Sequence, residues 1–134
     1  MNISVFFNKK GAAAVEFALC LPLLLLILFA IMEYGWYLTN QIVLANAVSA
    51  GARAGIRAKE WEGEDPVLFA KKAAGDAFWI GDIPGINVNI IEPSATSTRE
   101  IKVKVTYEYS SITGFLPDDL IPEFVKAKAV MAFP

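Results

Sequence analysis

Three kinds of hydrophobic spacing follow one another along the chain. The first is a block. Phe17 to Met32 is an unbroken apolar run of sixteen residues. A membrane-crossing helix needs ~20 mostly apolar residues, which extends the segment to Ala12 on one side and Leu38 on the other. The extension takes in two carboxylates, Glu16 and Glu33. Tyr34, Trp36 and Tyr37 cluster just past the run, as an interfacial aromatic belt does. Lys9 and Lys10 flank the other end, and no further basic residue occurs before Arg53. Positive charge stays on the cytoplasmic side, so residues 12–38 read as one span with a cytoplasmic N-terminus and an outside C-terminal domain. Pro22 removes a backbone hydrogen bond inside it and predicts a bend.

The second spacing is helical. From Thr39 to Ala58 there is no proline, and Ile42, Val43, Ala45, Val48 and Ala52 recur near a 3.6-residue period. A continuous helix from Ala12 to Ala58 would be ~70 Å long, with about half of it, residues 39–58, standing out as a stalk. Ala47, Gly51 and Gly55 are four residues apart and share one face, a small-xxx-small pattern that favours close helix approach. Two surfaces fit that groove: the protein's own β-sheet or another subunit. Arg53 and Arg57, one turn apart, read as a solvated or ion-paired edge.

The third regime, residues 59–134, is a small mixed domain. Lys59 to Glu64 is a polar connector, and Asp65-Pro66 is a helix start with the aspartate as cap. The helix runs to about Phe78, and Gly81 to Gly85 is a turn. Strands are predicted over Asn87–Glu92, Ile101–Tyr109 and Phe124–Phe133, joined by a loop over Pro93–Arg99 and a longer connection over Ser110–Glu123. In the second strand Ile101, Val103, Val105, Tyr107 and Tyr109 face one way and Lys102, Lys104, Thr106 and Glu108 the other. In the third, Lys126 and Lys128 face solvent. A small antiparallel meander with one wet face needs a cover for the other, and the stalk helix supplies it. The expected fold is α+β and pilin-like: a long N-terminal transmembrane and stalk helix on a small antiparallel sheet, with one short extra helix.

Composition narrows the function. The 134-residue chain is 55% hydrophobic, and the excess sits in its first 38 residues. Its net charge of −2 gives no footprint for nucleic acid. Histidine is absent and the one cysteine, Cys20, lies in the apolar run, which removes the commonest general base and metal ligand. The acidic group Glu60, Glu62, Glu64 and Asp65 lacks the glycine and alternating oxygens of a calcium loop and reads as a solvated connector. Asp118-Asp119 reads as a turn or cap. No catalytic, cofactor or metal site is expected.

The junction Lys9-Lys10-Gly11 followed by Ala12-Ala13-Ala14-Val15-Glu16-Phe17 resembles the leader junction of type IV prepilin-like proteins. GAAAVEFALCLPLLLLILFAIMEYGWYL, followed by ANAVSAGARAG, is similar to the TadE-type pseudopilins of the tight-adherence (Flp) pilus system. The resemblance covers residues 9–58 well and the remainder in general shape. The alanine-rich start departs from ordinary type IV pilins, and the main Flp pilin is too short for a domain like residues 65–134. The resemblance implies a leader over residues 1–11, cut by a prepilin peptidase between Gly11 and Ala12. It puts Glu16 at the fifth mature position, with Phe17 beside it, as assembly residues. It also implies partners: other pilin and pseudopilin subunits, inner-membrane pilus assembly proteins and the lipid bilayer. The location implied is the cytoplasmic (inner) membrane, with a periplasmic or extracellular domain, or the pilus itself. Two other readings stay open on the residues alone. One is an unprocessed single-span anchor carrying an extracytoplasmic binding domain. The other is a secreted domain released near Ala45-Asn46-Ala47.

Overall fold

The structure is a computed structural model that describes residues 9–83, 85–94 and 97–134. Most of the expected leader, residues 1–8, lies outside that set, as do Pro84 of the expected turn and Ala95 and Thr96 of the expected loop. The first helix, α1, is a single 49-residue element, Lys9–Arg57. At 1.5 Å per residue it is ~74 Å long. It continues through Pro22, whose ring nitrogen leaves the Ala18 carbonyl without its usual donor.

Burial divides α1 in two. Every residue from Gly11 to Leu28 is exposed, and the helix is long and apolar enough to cross a membrane. From Glu33 onward one stripe is buried, Glu33, Asn40, Leu44, Ala47, Gly51 and Gly55, with Val43, Val48 and Ala52 buried beside it. The steps are three, four or seven residues, so the stripe follows one helical face. That face carries the domain.

The second helix, α2, is Pro66–Ala77. Pro66 occupies its first turn, and the Asp65 carboxylate accepts from the Val67 N–H at 2.8 Å. Three strands follow, β1 (Asn87–Ile91), β2 (Glu100–Glu108) and β3 (Phe124–Ala132), forming an antiparallel sheet in the order β1-β2-β3. Val103 lies opposite Val88 on one side and Ala129 on the other. The predicted alternation holds: Ile101, Val103 and Val105 are buried, as is Val125 of β3, and Lys104, Lys126 and Lys128 are exposed. The core joins Leu44 and Val48 of α1, Ala70 of α2 and this inner face of the sheet.

Gly51 and Gly55 on the small-residue face of α1 seat α2, and Ile101 of β2 also reaches Gly55, where pattern alone offered the sheet or another subunit. A methyl group on Gly51 would stand 2.7 Å from the Ala70 carbonyl oxygen and 2.9 Å from the Ala74 methyl. One on Gly55 would meet the Ile101 side chain and the Pro66 carbonyl oxygen. The obstacle at Gly51 is helix backbone, which does not swing aside as a flexible side chain does. Gly51→Val is therefore expected to push α2 outward and cost about 3 kcal/mol, read as a lowered melting temperature in detergent. Gly75, also helical, stands in open space. Gly75→Ala should raise stability by about 0.5 kcal/mol in the same assay, through helix propensity alone.

Candidate assembly and docking sites on α1

The expected processing and assembly residues sit at the bare end of α1. Gly11, Ala12, Glu16 and Phe17 are all exposed and helical. Nothing lies within 4 Å of where a side chain on Gly11 would project. Ala12 and Glu16 are one turn apart and share a face. Glu16 has no hydrogen-bond or ion-pair partner among the described residues. Leu19, Leu23 and Ile27 continue the exposed apolar surface. Such a surface on a monomer needs lipid or protein against it.

The most fully built polar site among the described residues was not among the sequence-predicted residues. It is Glu33, only 2% exposed. One carboxylate oxygen, Oε1, accepts from the Tyr109 hydroxyl at 2.7 Å and the Ile112 N–H at 3.3 Å. The other, Oε2, accepts from the Thr113 N–H at 3.0 Å and the Thr113 hydroxyl at 2.7 Å. Four donors thus converge on an acceptor-only group, the arrangement a buried carboxylate requires. Burial, and then the carboxylate beside it, push the Tyr109 hydroxyl well above the usual tyrosine range. One signal in the sequence pointed here: Glu33 is the only charged residue between Glu16 and Arg53.

Aromatic contacts complete this joint. Tyr37 meets Tyr109 edge-on, with centroids 5.4 Å apart. The Tyr34 hydroxyl donates to the Leu120 carbonyl at 2.7 Å. Phe29 stacks on Phe115 at 4.5 Å. Gly114, at φ 62°, supplies the left-handed residue just before Phe115 in this loop. Two members of the expected aromatic belt therefore also fasten the domain to the helix.

The acidic connector is used within the chain. Glu60 pairs with Arg99 at 2.8 Å, and Glu62 with Lys59 at 3.1 Å. A Glu64 oxygen accepts the Lys59 N–H at 2.6 Å, and Asp65 caps α2. Arg53 and Arg57 are exposed.

Comparison with known families bears on α1 alone: residues 11–53 match the family model described as TadE-like protein. The N-terminal segment is TadE-like. The match likens residues 11–53 to proteins associated with the Tad pilus, and among the described residues one helix is long and apolar enough to cross a membrane. The TadE-like segment contains Gly11, Ala12, Glu16, Phe17, Ala47 and Gly51, and stops two residues short of Gly55. It also contains Glu33, but none of the residues that bond to it. No curated protein and no solved structure matches the chain.

Proposed function

We propose that the protein is a minor pseudopilin, a structural subunit used in assembling an adhesive Tad (Flp-type) pilus. The reading rests on one observation. The TadE-like match lies on a helix whose first eighteen described residues from Gly11, through Leu28, are exposed, while its later half is covered by the chain's own domain. One end of α1 is finished and the other needs partners.

A prepilin peptidase cuts between Gly11 and Ala12, on the cytoplasmic side marked by Lys9 and Lys10. The cut frees an amino group on Ala12. Glu16 of one subunit then receives the Ala12 amine of a neighbour, and Phe17 packs beside the pair in the helix bundle. Away from water such a pair fixes register, while desolvation offsets part of its strength. The domain from residue 59 onward stands on the periplasmic or outer side. Its work is structural, and no side chain in it is assigned a catalytic role.

Gly11→Leu tests this. Co-expressed with the peptidase, the native chain should shorten on a gel, and Gly11→Leu should stay at full length and fail to support piliation. Equal shortening of both chains would remove Gly11 from the processing site.

A further inference from the structure

The loop between β2 and β3 reaches along α1 into the part of the helix that crosses the membrane. Phe115 stacks on Phe29. With Leu116 it forms one wall of an apolar cleft of about 390 Å³ whose other wall includes Leu21, Pro22, Leu25 and Leu26. The depth of these residues follows from helix geometry. A hydrocarbon core is ~30 Å thick, which α1 covers in ~20 residues. Counted from Ala12, the core ends near Met32, one residue before the buried Glu33. Phe29 is then about one turn inside the outer boundary, and Leu25 about two.

We propose that residues 111–117 form a second membrane contact, inserted among the acyl chains of the outer leaflet, and that lipid tails fill the cleft between this loop and α1. Three further observations carry this. Phe115 is 73% exposed, and Ile112 on the same loop is exposed as well. Residues 110–117 carry no charge. The third is the state of the loop's backbone. Irregular backbone is costly at the edge of hydrocarbon unless its amides find partners. Here the Ile112 and Thr113 N–H groups go to the Glu33 carboxylate and the Gly114 N–H goes to the Ser111 hydroxyl. Three successive amides are thus satisfied without water. The apolar side chains after them lie alongside the lipid-facing surface of α1. Ile80, next to the exposed Trp79, borders a small cleft with Trp36 and Ile112. An exposed tryptophan at this level suits the headgroup boundary. The glutamate near the end of the span therefore holds a loop in the membrane as well as a domain on a helix.

The inference rests on the anchored reading, and one experiment separates the two. Single-cysteine chains are made on a Cys20→Ala background at Phe115, Ile112, Leu24 and Lys104, spin-labelled, and reconstituted into phosphatidylcholine vesicles at high lipid excess. Accessibility to oxygen, which concentrates in hydrocarbon, is compared with accessibility to a water-soluble nickel chelate. The Leu24 label reports the span and the Lys104 label reports water. The labels at Phe115 and Ile112 should show an oxygen-to-nickel ratio several-fold above Lys104 and approaching Leu24. A Lys104-like ratio at both loop positions, with Leu24 in lipid, overturns the loop contact and leaves the anchor standing. Loop labels shielded from both reagents would mean a protein surface and overturn it too. A Lys104-like ratio at Leu24 would overturn the anchored reading itself.

Discussion

Glu16→Ala should leave the protein in the membrane at normal abundance and abolish pilus assembly. The two halves of this expectation have separate causes. A carboxylate near one end of a span opposes insertion, so its removal makes insertion easier. Assembly depends on what the carboxylate meets next. Glu16 is exposed on a helix with no partner among the described residues, so nothing within the described domain is lost with it. Between subunits, a unit-charge pair at about 4 Å is worth about 4 kcal/mol at an effective dielectric of 20, of which desolvation takes back a share. A remainder of even ~1.4 kcal/mol is tenfold in each association constant. Glu16→Gln should behave like Glu16→Ala, since it keeps the size and loses the charge. Immunoblots of membrane fractions report insertion, and electron microscopy of the cell surface reports pili. Wild-type piliation in either variant would remove Glu16 from the assembly site.

Glu33→Gln should damage the protein differently, by loosening the domain from α1. The glutamine keeps one acceptor oxygen and replaces the other with an NH₂ group. If that group replaces Oε2 it faces two donors, the N–H and hydroxyl of Thr113, at 3.0 and 2.7 Å in the native chain. If it replaces Oε1 it faces the Tyr109 hydroxyl and the Ile112 N–H. The hydroxyls can turn and accept from the amide, but either orientation sets it against a backbone N–H, of Thr113 or Ile112, in a site only 2% exposed. Unsatisfied buried donors cost about 1–3 kcal/mol each, and bonds to a charged acceptor are the stronger kind. The expected loss is about 3 kcal/mol, well above the ~0.5 kcal/mol typical of a surface change. For a domain of this size that lowers the melting temperature by over 10 °C. Tyr109→Phe, which removes a single hydroxyl, should cost about 1–2 kcal/mol. Tryptophan fluorescence melts of the full chain in detergent distinguish the three proteins. A Glu33→Gln melt matching the native one would show that this carboxylate does not hold the domain.

The contrast between the two glutamates shows what sequence reading resolves. The reading of Glu16 as an assembly residue rests on local signals: a glycine five residues before it, alanines between, and an apolar run after. The strands were legible for a similar reason, since Ile101, Val103 and Val105 alternate with lysines and threonine over a few residues. So was α2, announced by Asp65-Pro66. Glu33 was not, because its partners lie 76 to 80 residues away, and no local period connects them. It read as a tolerated charge at the end of a span. The groove of Ala47, Gly51 and Gly55 was visible as a close-approach surface, but spacing does not say which element fills it. The answer lies in Ala70 and Ala74 of α2, small residues whose own one-turn spacing matches Gly51 and Gly55. Tyr34 and Tyr37 were read as an aromatic belt from position alone. Their bonds to Leu120 and Tyr109 depend on a loop whose path the sequence did not show.

The central claim is that α1 begins as a processed helix whose new N-terminus is an assembly residue. It is tested most directly by the intact mass and N-terminal sequence of the protein extracted from native membranes. A chain beginning at Ala12, with everything before it removed, is the predicted result. A chain still beginning at Met1 would contradict processing, the Ala12–Glu16 pairing between subunits and the pseudopilin role together.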